Sequence, residues 1–215
     1  MYRAILFDLD GTLTASAEGI TKSVQYALQK LGIEEPDLRK LESFIGPPLL
    51  DQFMNAYGMD EATARQAVAY YRERYEEKGI YENQPYPGIR ELLQTLKQQG
   101  YRLAVASSKP IFYVERILDY FQLTPFFAVI EGSQMDGRRT RKGEVIQEAL
   151  RRLKMLDCRE QAVMVGDRKH DVLGARECGI DCVAVSYGYG SVQELEQAEP
   201  VVIAPTIEGV RRFFL

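Results

Sequence analysis

Two carboxylates, Asp8 and Asp10, close a short apolar run that extends from Tyr2 to Phe7. If that run is a buried strand, residues i and i+2 point the same way, and both carboxylates reach one spot. Side by side they repel each other, and a divalent cation relieves that repulsion. One of them can then attack phosphorus while the other moves protons. Gly11 permits a sharp exit from the strand. Three further groupings stand at expected strand or helix ends. Ser107-Ser108-Lys109-Pro110 follows a second apolar run and sets a hydroxyl and N–H groups in front of a helix, which suits an anion. Lys142 ends a basic stretch and opens a helix, where its ammonium can balance a phosphoryl group in transfer. Gly166-Asp167 is followed by Asp171, and these carboxylates add the hard oxygen ligands that magnesium prefers. Each grouping alone is ordinary; their weight lies in occurring together.

The elements that must hold these groups follow from the apolar pattern. Short apolar runs at Tyr2–Phe7, Arg102–Ala106, Phe127–Ile130, Ala162–Val165, Asp181–Val185 and Val201–Ile203 read as strands. Helical patterns alternate with them: from Gly88 to Gln99, Pro110 to Phe121, Lys142 to Leu153, Asp171 to Cys178 and Ile207 to Phe214. That alternation predicts an α/β fold with a parallel sheet covered on both faces. Between Ser16 and about Gly79 no buried strand is readable. Ile20, Val24, Ala27, Leu28 and Leu31 instead make a helical stripe, and further helices are expected from Pro36, over Leu49–Tyr57 and over Glu61–Lys78. The expected organisation is a core of residues 1–15 and 83–215, interrupted by a helical bundle of residues 16–82. Ligands of open parallel sheets gather at the carboxyl ends of the strands, where the candidate residues stand.

Composition narrows the function classes. The chain has 215 residues, 46% of them hydrophobic, enough for a packed core. A net charge of −4 argues against a nucleic-acid partner, which favours a basic face. No apolar run approaches the roughly 18 residues of a membrane span, and no leader is readable, so a cytoplasmic protein is expected. The three cysteines form no CxxC pair, and Cys178 and Cys182 read as small buried hydrophobes.

The four groupings, in this order, resemble the signature of the haloacid dehalogenase superfamily. Asp8 to Thr12 matches its Asp-x-Asp-Gly-Thr motif, Ser107 its strand-end hydroxyl, Lys142 its helix-opening lysine, and Gly166, Asp167 and Asp171 its Gly-Asp-x-x-x-Asp motif. The segment between the first two motifs resembles the family's helical cap. Ile45 to Leu49, Tyr86-Pro87-Gly88 and Ser107 to Pro110 are similar to the phosphoglycolate phosphatase-like branch. The resemblance implies a Rossmann-like core and a magnesium-dependent phosphatase acting on a small phosphorylated metabolite. It implies Asp8 as nucleophile, Asp10 as acid and base, and Lys142 as charge partner. Magnesium would be held by Asp8, the Asp10 carbonyl and Asp167, with Asp171 supporting the metal's water or Lys142. Leu9, Ser107 and Ser108 would bind phosphoryl oxygens. Ala15-Ser16 replaces the usual Asp-Ser of relatives, and Ser16 is expected to cap the first helix of the bundle.

Several features have plainer readings. Gly46-Pro47-Pro48 either reads the substrate from the cap or merely separates helices. The run from Arg138 to Arg141 is expected to be a solvated loop rather than a steering patch. His170 is expected outside the metal shell. Gly188-Tyr189-Gly190 follows a strand and either borders the site or, as is expected, is a plain glycine loop. Two other functions share the pattern: a phosphomutase, and a protein that binds a phosphorylated ligand without turning it over. The chain is expected to be a monomer or a homodimer.

Overall fold

Ala4–Phe7 (β1) has no polar side chain, and every residue in it is at most 1% exposed. A strand buried on both faces needs neighbours on both edges and layers above and below. The computed structural model, which describes residues 1–215, supplies them. The chain leaves β1 through the short strand β2 (Thr14–Ala15) and returns through β3 (Gln84–Pro85). It then forms β4 (Arg102–Pro110), β5 (Val129–Ser133), β6 (Ala162–Gly166), β7 (Asp181–Val185) and β8 (Val202–Ala204). The main sheet has six strands in the order β5-β4-β1-β6-β7-β8, and every pairing is parallel. Ile5 lies opposite Leu103 on one side and Val163 on the other; Phe7 lies opposite Val105 and Val165. This is the doubly wound order, and its direction reverses beside β1.

The chain divides into two units, Met1–Thr14 with Pro85–Leu215, and Ala15–Gln84. In the first, Ala4 and Leu6 of β1 join Ala104, Ala106, Met164 and Cys182 in a cluster under helices α6 (Lys142–Arg152) and α7 (Lys169–Glu177), numbered by their place along the chain after α1 to α5 below. Val145, Ile146, Ala149 and Leu150 supply the α6 side of that cluster. Ile5 and Phe7 point the other way and are just as buried. The points of exit and return are fastened together, since the Tyr86 N–H donates to the Leu13 carbonyl at 3.0 Å.

The second unit is helical: α1 (Ala17–Lys30), a 3-10 turn (Leu38–Phe44), α2 (Leu49–Tyr57), and α3 (Glu61–Arg74) running into a π-helical turn (Tyr75–Gly79). The first unit adds α4 (Ile89–Gln98), α5 (Ile111–Tyr120), α8 (Val192–Ala198) and α9 (Ile207–Phe214). Tyr71 and Tyr75 stack inside the helical unit with ring centroids 5.2 Å apart. No helix is long and apolar enough to cross a membrane.

Several expectations need correction. The helix expected from Pro36 is a 3-10 turn begun by Asp37, whose carboxylate accepts the Arg39 N–H. The helix expected to run to Lys78 gives way to the π turn at Tyr75. Strand β4 continues past Ala106 to Pro110, and β5 starts at Val129 rather than Phe127. Helix α8 was not foreseen, although Ser191 caps it by accepting the Glu194 N–H at 3.0 Å. Ser16 occupies the position before α1 but makes no capping bond, and its hydroxyl is buried without a hydrogen-bond partner.

Arg74 at the end of α3 grips the return segment of the helical unit. Its guanidinium donates to both Glu82 oxygens, at 2.8 and 2.9 Å, and to Ser23 Oγ at 3.1 Å. Arg74→Met should destabilise the protein by about 1.5–3 kcal/mol, the range for hydrogen bonds to charged groups. In a denaturation series the Arg74→Met, Glu82→Gln pair should cost less than the sum of the single changes, because the two share one interaction.

Candidate active site

The sheet itself positions the first carboxylate. The Asp8 N–H donates to the Val165 carbonyl of β6 at 2.9 Å, so the backbone is still fastened to its neighbour where the side chain emerges. Asp167 follows the end of β6, on the strand beside β1, and Asp171 lies in the first turn of α7. The Asp8, Asp167 and Asp171 carboxylates each offer an oxygen, and these oxygens lie within 4.8 Å of one another. All three side chains are buried. Lys142, the first residue of α6, places Nζ 2.8 Å from Asp8 Oδ1 and 2.8 Å from Asp171 Oδ1, and donates to the Ala106 carbonyl at 3.1 Å.

Burial and crowding set the charge states. Burial pushes the Asp8 carboxyl up to about 6; Lys142 pulls against that, while Asp171 and Asp10 add to it. Burial, then repulsion from Asp171 and Asp8, holds Asp167 well above the ordinary carboxylate range, although a backbone N–H from Tyr189 favours its ionised form. Burial works against the charge of Lys142, yet Asp171 and Asp8 outweigh it and raise its pKa above the usual lysine value. Two of the three carboxylates thus pair with the one ammonium while Asp167 does not, which leaves an excess of hard oxygen donors. That donor set fits a divalent cation.

The Asp10 side chain stands apart from this trio. Its Oδ2 accepts from Lys109 Nζ at 2.6 Å, while its Oδ1 is buried with no hydrogen-bond partner. Ser107 is 2% exposed, and its hydroxyl accepts the Lys109 N–H at 3.3 Å. Ser108 is half-buried. Leu9 is buried, and its carbonyl accepts the N–H groups of Leu13 and Thr14 at 2.9 and 3.0 Å, which turns the chain sharply after the strand. Gly46 (φ 103) and Pro47 belong to the helical unit, in the turn between the 3-10 segment and α2.

One group was missed from sequence, and another was given the plainer of its two readings. Lys109 was read only as part of a polar loop. The Gly188-Tyr189-Gly190 loop, expected to be plain, borders the site: the Tyr189 N–H donates to Asp167 Oδ2 at 2.7 Å. A Cβ on Gly188 would overlap the Gly11 carbonyl and the Asp167 side chain, and one on Gly11 (φ 83) would overlap the Asp167 carboxylate. The glycines and their place after a strand were the available signal. The basic run behaves as a solvated loop whose charges are paired: Arg138 with Asp136, Arg139 with Glu131 and Arg141 with Glu177. His170 is not among the converging ligands.

Residues 5–185 match the model of the haloacid dehalogenase-like hydrolase family. The chain belongs to that family. Within the haloacid dehalogenase-like hydrolases it is a phosphoric monoester hydrolase. It is 48% identical to a protein of Pseudomonas aeruginosa named 5'-nucleotidase, over 98% of this chain and 95% of that one. It is also 41% identical to a Mycobacterium tuberculosis protein named tyrosine-protein kinase PtkA, over 96% of this chain and 70% of that one. The crystal structure of a predicted phosphatase from Clostridium acetobutylicum superposes with a TM-score of 0.96 at 44% identity, covering 99% of this chain and 98% of that one.

The raised pKa of Asp8 has a measurable consequence. A carboxyl whose folded pKa lies above its unfolded value contributes stability that is fully present below the unfolded pKa, near 4, and lost as pH rises through about 6. In metal-free buffer, Asp8→Asn should therefore melt at a higher temperature than the wild type at pH 7.5. The gap should close by pH 4. Equal melting temperatures across that range would show that the folded protein does not resist ionising Asp8.

Proposed function

We propose that this hydrolase is a magnesium-dependent phosphatase of small phosphate monoesters, working through a phosphoaspartate at Asp8. The observation that carries the reading is the Asp8 carboxylate, buried at the reversal point of the sheet, 2.8 Å from Lys142 and beside Asp167 and Asp171. An Asp8 oxygen bonds to phosphorus as the bond to the leaving oxygen breaks, and Asp10 gives that oxygen a proton. Water then attacks phosphorus and yields a proton to Asp10, phosphate departs, and the Asp8 carboxylate is restored. Lys142 keeps Asp8 ionised and balances charge on the transferring group. The Ser107 hydroxyl and the backbone N–H groups of Leu9 and Ser108 bind phosphoryl oxygens. Magnesium bound by Asp8, the Asp10 carbonyl, Asp167 and Asp171 would offset carboxylate repulsion and withdraw charge from the phosphoryl oxygens.

Likeness to a protein named 5'-nucleotidase supports nucleoside 5'-monophosphates as the first substrates to try, ahead of sugar phosphates and phosphoglycolate. The proposal takes residues 16–82 as a cap domain on a core of 1–15 and 83–215, with Gly46 and Pro47 contacting the substrate. The position of the helical unit between the first two motifs supports that assignment. Three free cysteines agree with a cytoplasmic site of action.

The test is phosphate release from a panel of these esters and an aryl phosphate, by wild type and Asp8→Asn, with and without magnesium. Release by wild type only when magnesium is present, falling to background in Asp8→Asn, is the expected result. No release from any ester by a folded wild type would overturn the phosphatase reading in favour of a mutase or a binding protein. The kinase name of the mycobacterial relative is a specific reason to add ATP with a tyrosyl peptide. Formation of phosphotyrosine instead of inorganic phosphate would replace hydrolysis with transfer.

Magnesium and protons compete for the same oxygens. With Asp8 titrating near 6 in the metal-free protein, magnesium affinity measured by calorimetry should fall steeply between pH 7.5 and pH 5. A pH-independent affinity would place the metal elsewhere.

A further inference from the structure

Strand β4 does not stop at Ser107. Ser107 lies opposite Gly132 of β5, but the next paired residue of β4 is Pro110, opposite Ser133. Ser108 and Lys109 are therefore extra residues pushed out of the ladder. Such bulges re-aim side chains next to active sites. This one is built from particular residues. A Cβ on Gly132 would come 2.6 Å from the Lys109 carbonyl, so only the bare glycine lets the bulge lie so close. The Ser107 hydroxyl accepts the Lys109 N–H from the other side at 3.3 Å. Pro110 has no N–H to offer the ladder.

The bulge delivers the Lys109 ammonium to Asp10. Nζ lies 2.6 Å from Asp10 Oδ2, and the two side chains are 7% and 8% exposed. A buried pair of this kind fixes a carboxylate in one rotamer, because breaking it would leave an uncompensated charge. It also divides the work of the two Asp10 oxygens. Oδ2 is taken by Lys109, whereas Oδ1 is buried with no hydrogen-bond partner. A buried acceptor left without a partner is costly and calls for an explanation. The leaving oxygen of a phosphate ester, and later the attacking water, would supply it.

We propose that Lys109 is a positioning residue for Asp10: it clamps Oδ2 and thereby presents Oδ1 to the leaving oxygen. The proposal rests on the reading of Asp10 as the group that moves protons. In the reaction, Asp10 transfers one proton to the leaving alcohol and recovers one from water, while Lys109 neither gains nor loses a proton. Lys109 is thus not itself a catalytic residue. Without the clamp, Asp10 swings and the leaving oxygen departs without its proton.

Proton donation matters for an alkyl leaving group and hardly at all for a strongly acidic phenol. The experiment compares kcat/KM for the best alkyl phosphate of the panel and for 2,4-dinitrophenyl phosphate, in wild type, Lys109→Met, Lys109→Arg, Gly132→Ala and Asp10→Asn. This ratio covers the steps up to departure of the leaving group. Lys109→Met should lose about 100-fold on the alkyl ester, the lower end of what general acid catalysis supplies, and less than about 3-fold on the aryl ester. Lys109→Arg, which keeps the charge, should recover part of the alkyl rate. Gly132→Ala should show the same selective loss in weaker form, without altering any charged group, and it keeps the test open if Lys109→Met fails to fold. An equal loss on both esters in these variants would overturn the proposal and make Lys109 a substrate-binding or purely structural residue. Asp10→Asn separates the two layers of argument. If it too loses both esters equally, the reading of Asp10 falls and takes the Lys109 assignment with it; if its loss is selective while that of the Lys109 variants is not, only the Lys109 assignment falls.

Discussion

One ammonium among buried carboxylates is the constraint on which the site depends. Lys142 stands at the N-terminus of α6, the end of a helix where a cation is disfavoured by the backbone dipole. It is tolerated there because Asp8 and Asp171 both lie 2.8 Å from Nζ. Glu144, in the same first turn, supplies the negative charge that the helix end would otherwise lack, and it accepts the Arg141 N–H at 3.3 Å. The arrangement is still short of positive charge. Asp167 has no lysine or arginine facing it at ion-pair distance, only the Tyr189 N–H at 2.7 Å and the Thr12 hydroxyl at 3.5 Å. The donor set therefore suits a cation, and the glycines at 11 and 188 leave the room beside Asp167 that a Cβ would fill.

The α/β class was legible because strands buried on both faces read as unbroken apolar runs. Ala4–Phe7, Ala162–Val165 and Asp181–Val185 could hardly be anything else, given the helical patterns between them. The residues that converge at the carboxyl ends were legible for the same reason: Asp8, Asp167 and Asp171 stand just beyond or one turn beyond such runs. What sequence could not give was geometry that depends on a neighbour. Ser-Ser-Lys-Pro reads as a loop, and it becomes strand only because Ser133 of β5 pairs with Pro110. The aim of Lys109 follows from that pairing and from Gly132, 23 residues away. The need for glycine at 188 is invisible until Asp167 is known to lie against it. Helix α8 was missed for a different reason: with seven residues it is too short to show a helical period, although Ser191 and Glu194 carry its start signal.

The site is assembled from distant parts of the chain. Ala4 pairs with Arg102 on one side and Ala162 on the other, so β1 finds both its neighbours about a hundred residues or more away. Asp8 cannot meet Lys142 and Asp171 until β1 is seated between β4 and β6. Topologies dominated by such long-range pairings fold slowly, because loop closure must precede the contacts that reward it.

The hydrogen bond between Tyr86 and Leu13 has a consequence for the way the molecule can vary. It joins the two ends of the gap in the core, so everything between Thr14 and Pro85 is, to the sheet, a loop whose ends already touch. The entropy of closing a loop grows only with the logarithm of its length, about 0.6 kcal/mol for each doubling. A turn of a few residues and a bundle of 70 therefore differ little in what they ask of the sheet. Lineages can lengthen, shorten or exchange this excursion while the strand ends that carry the carboxylates stay in register. Such a plan lets one set of strand ends be kept while the excursion between them changes.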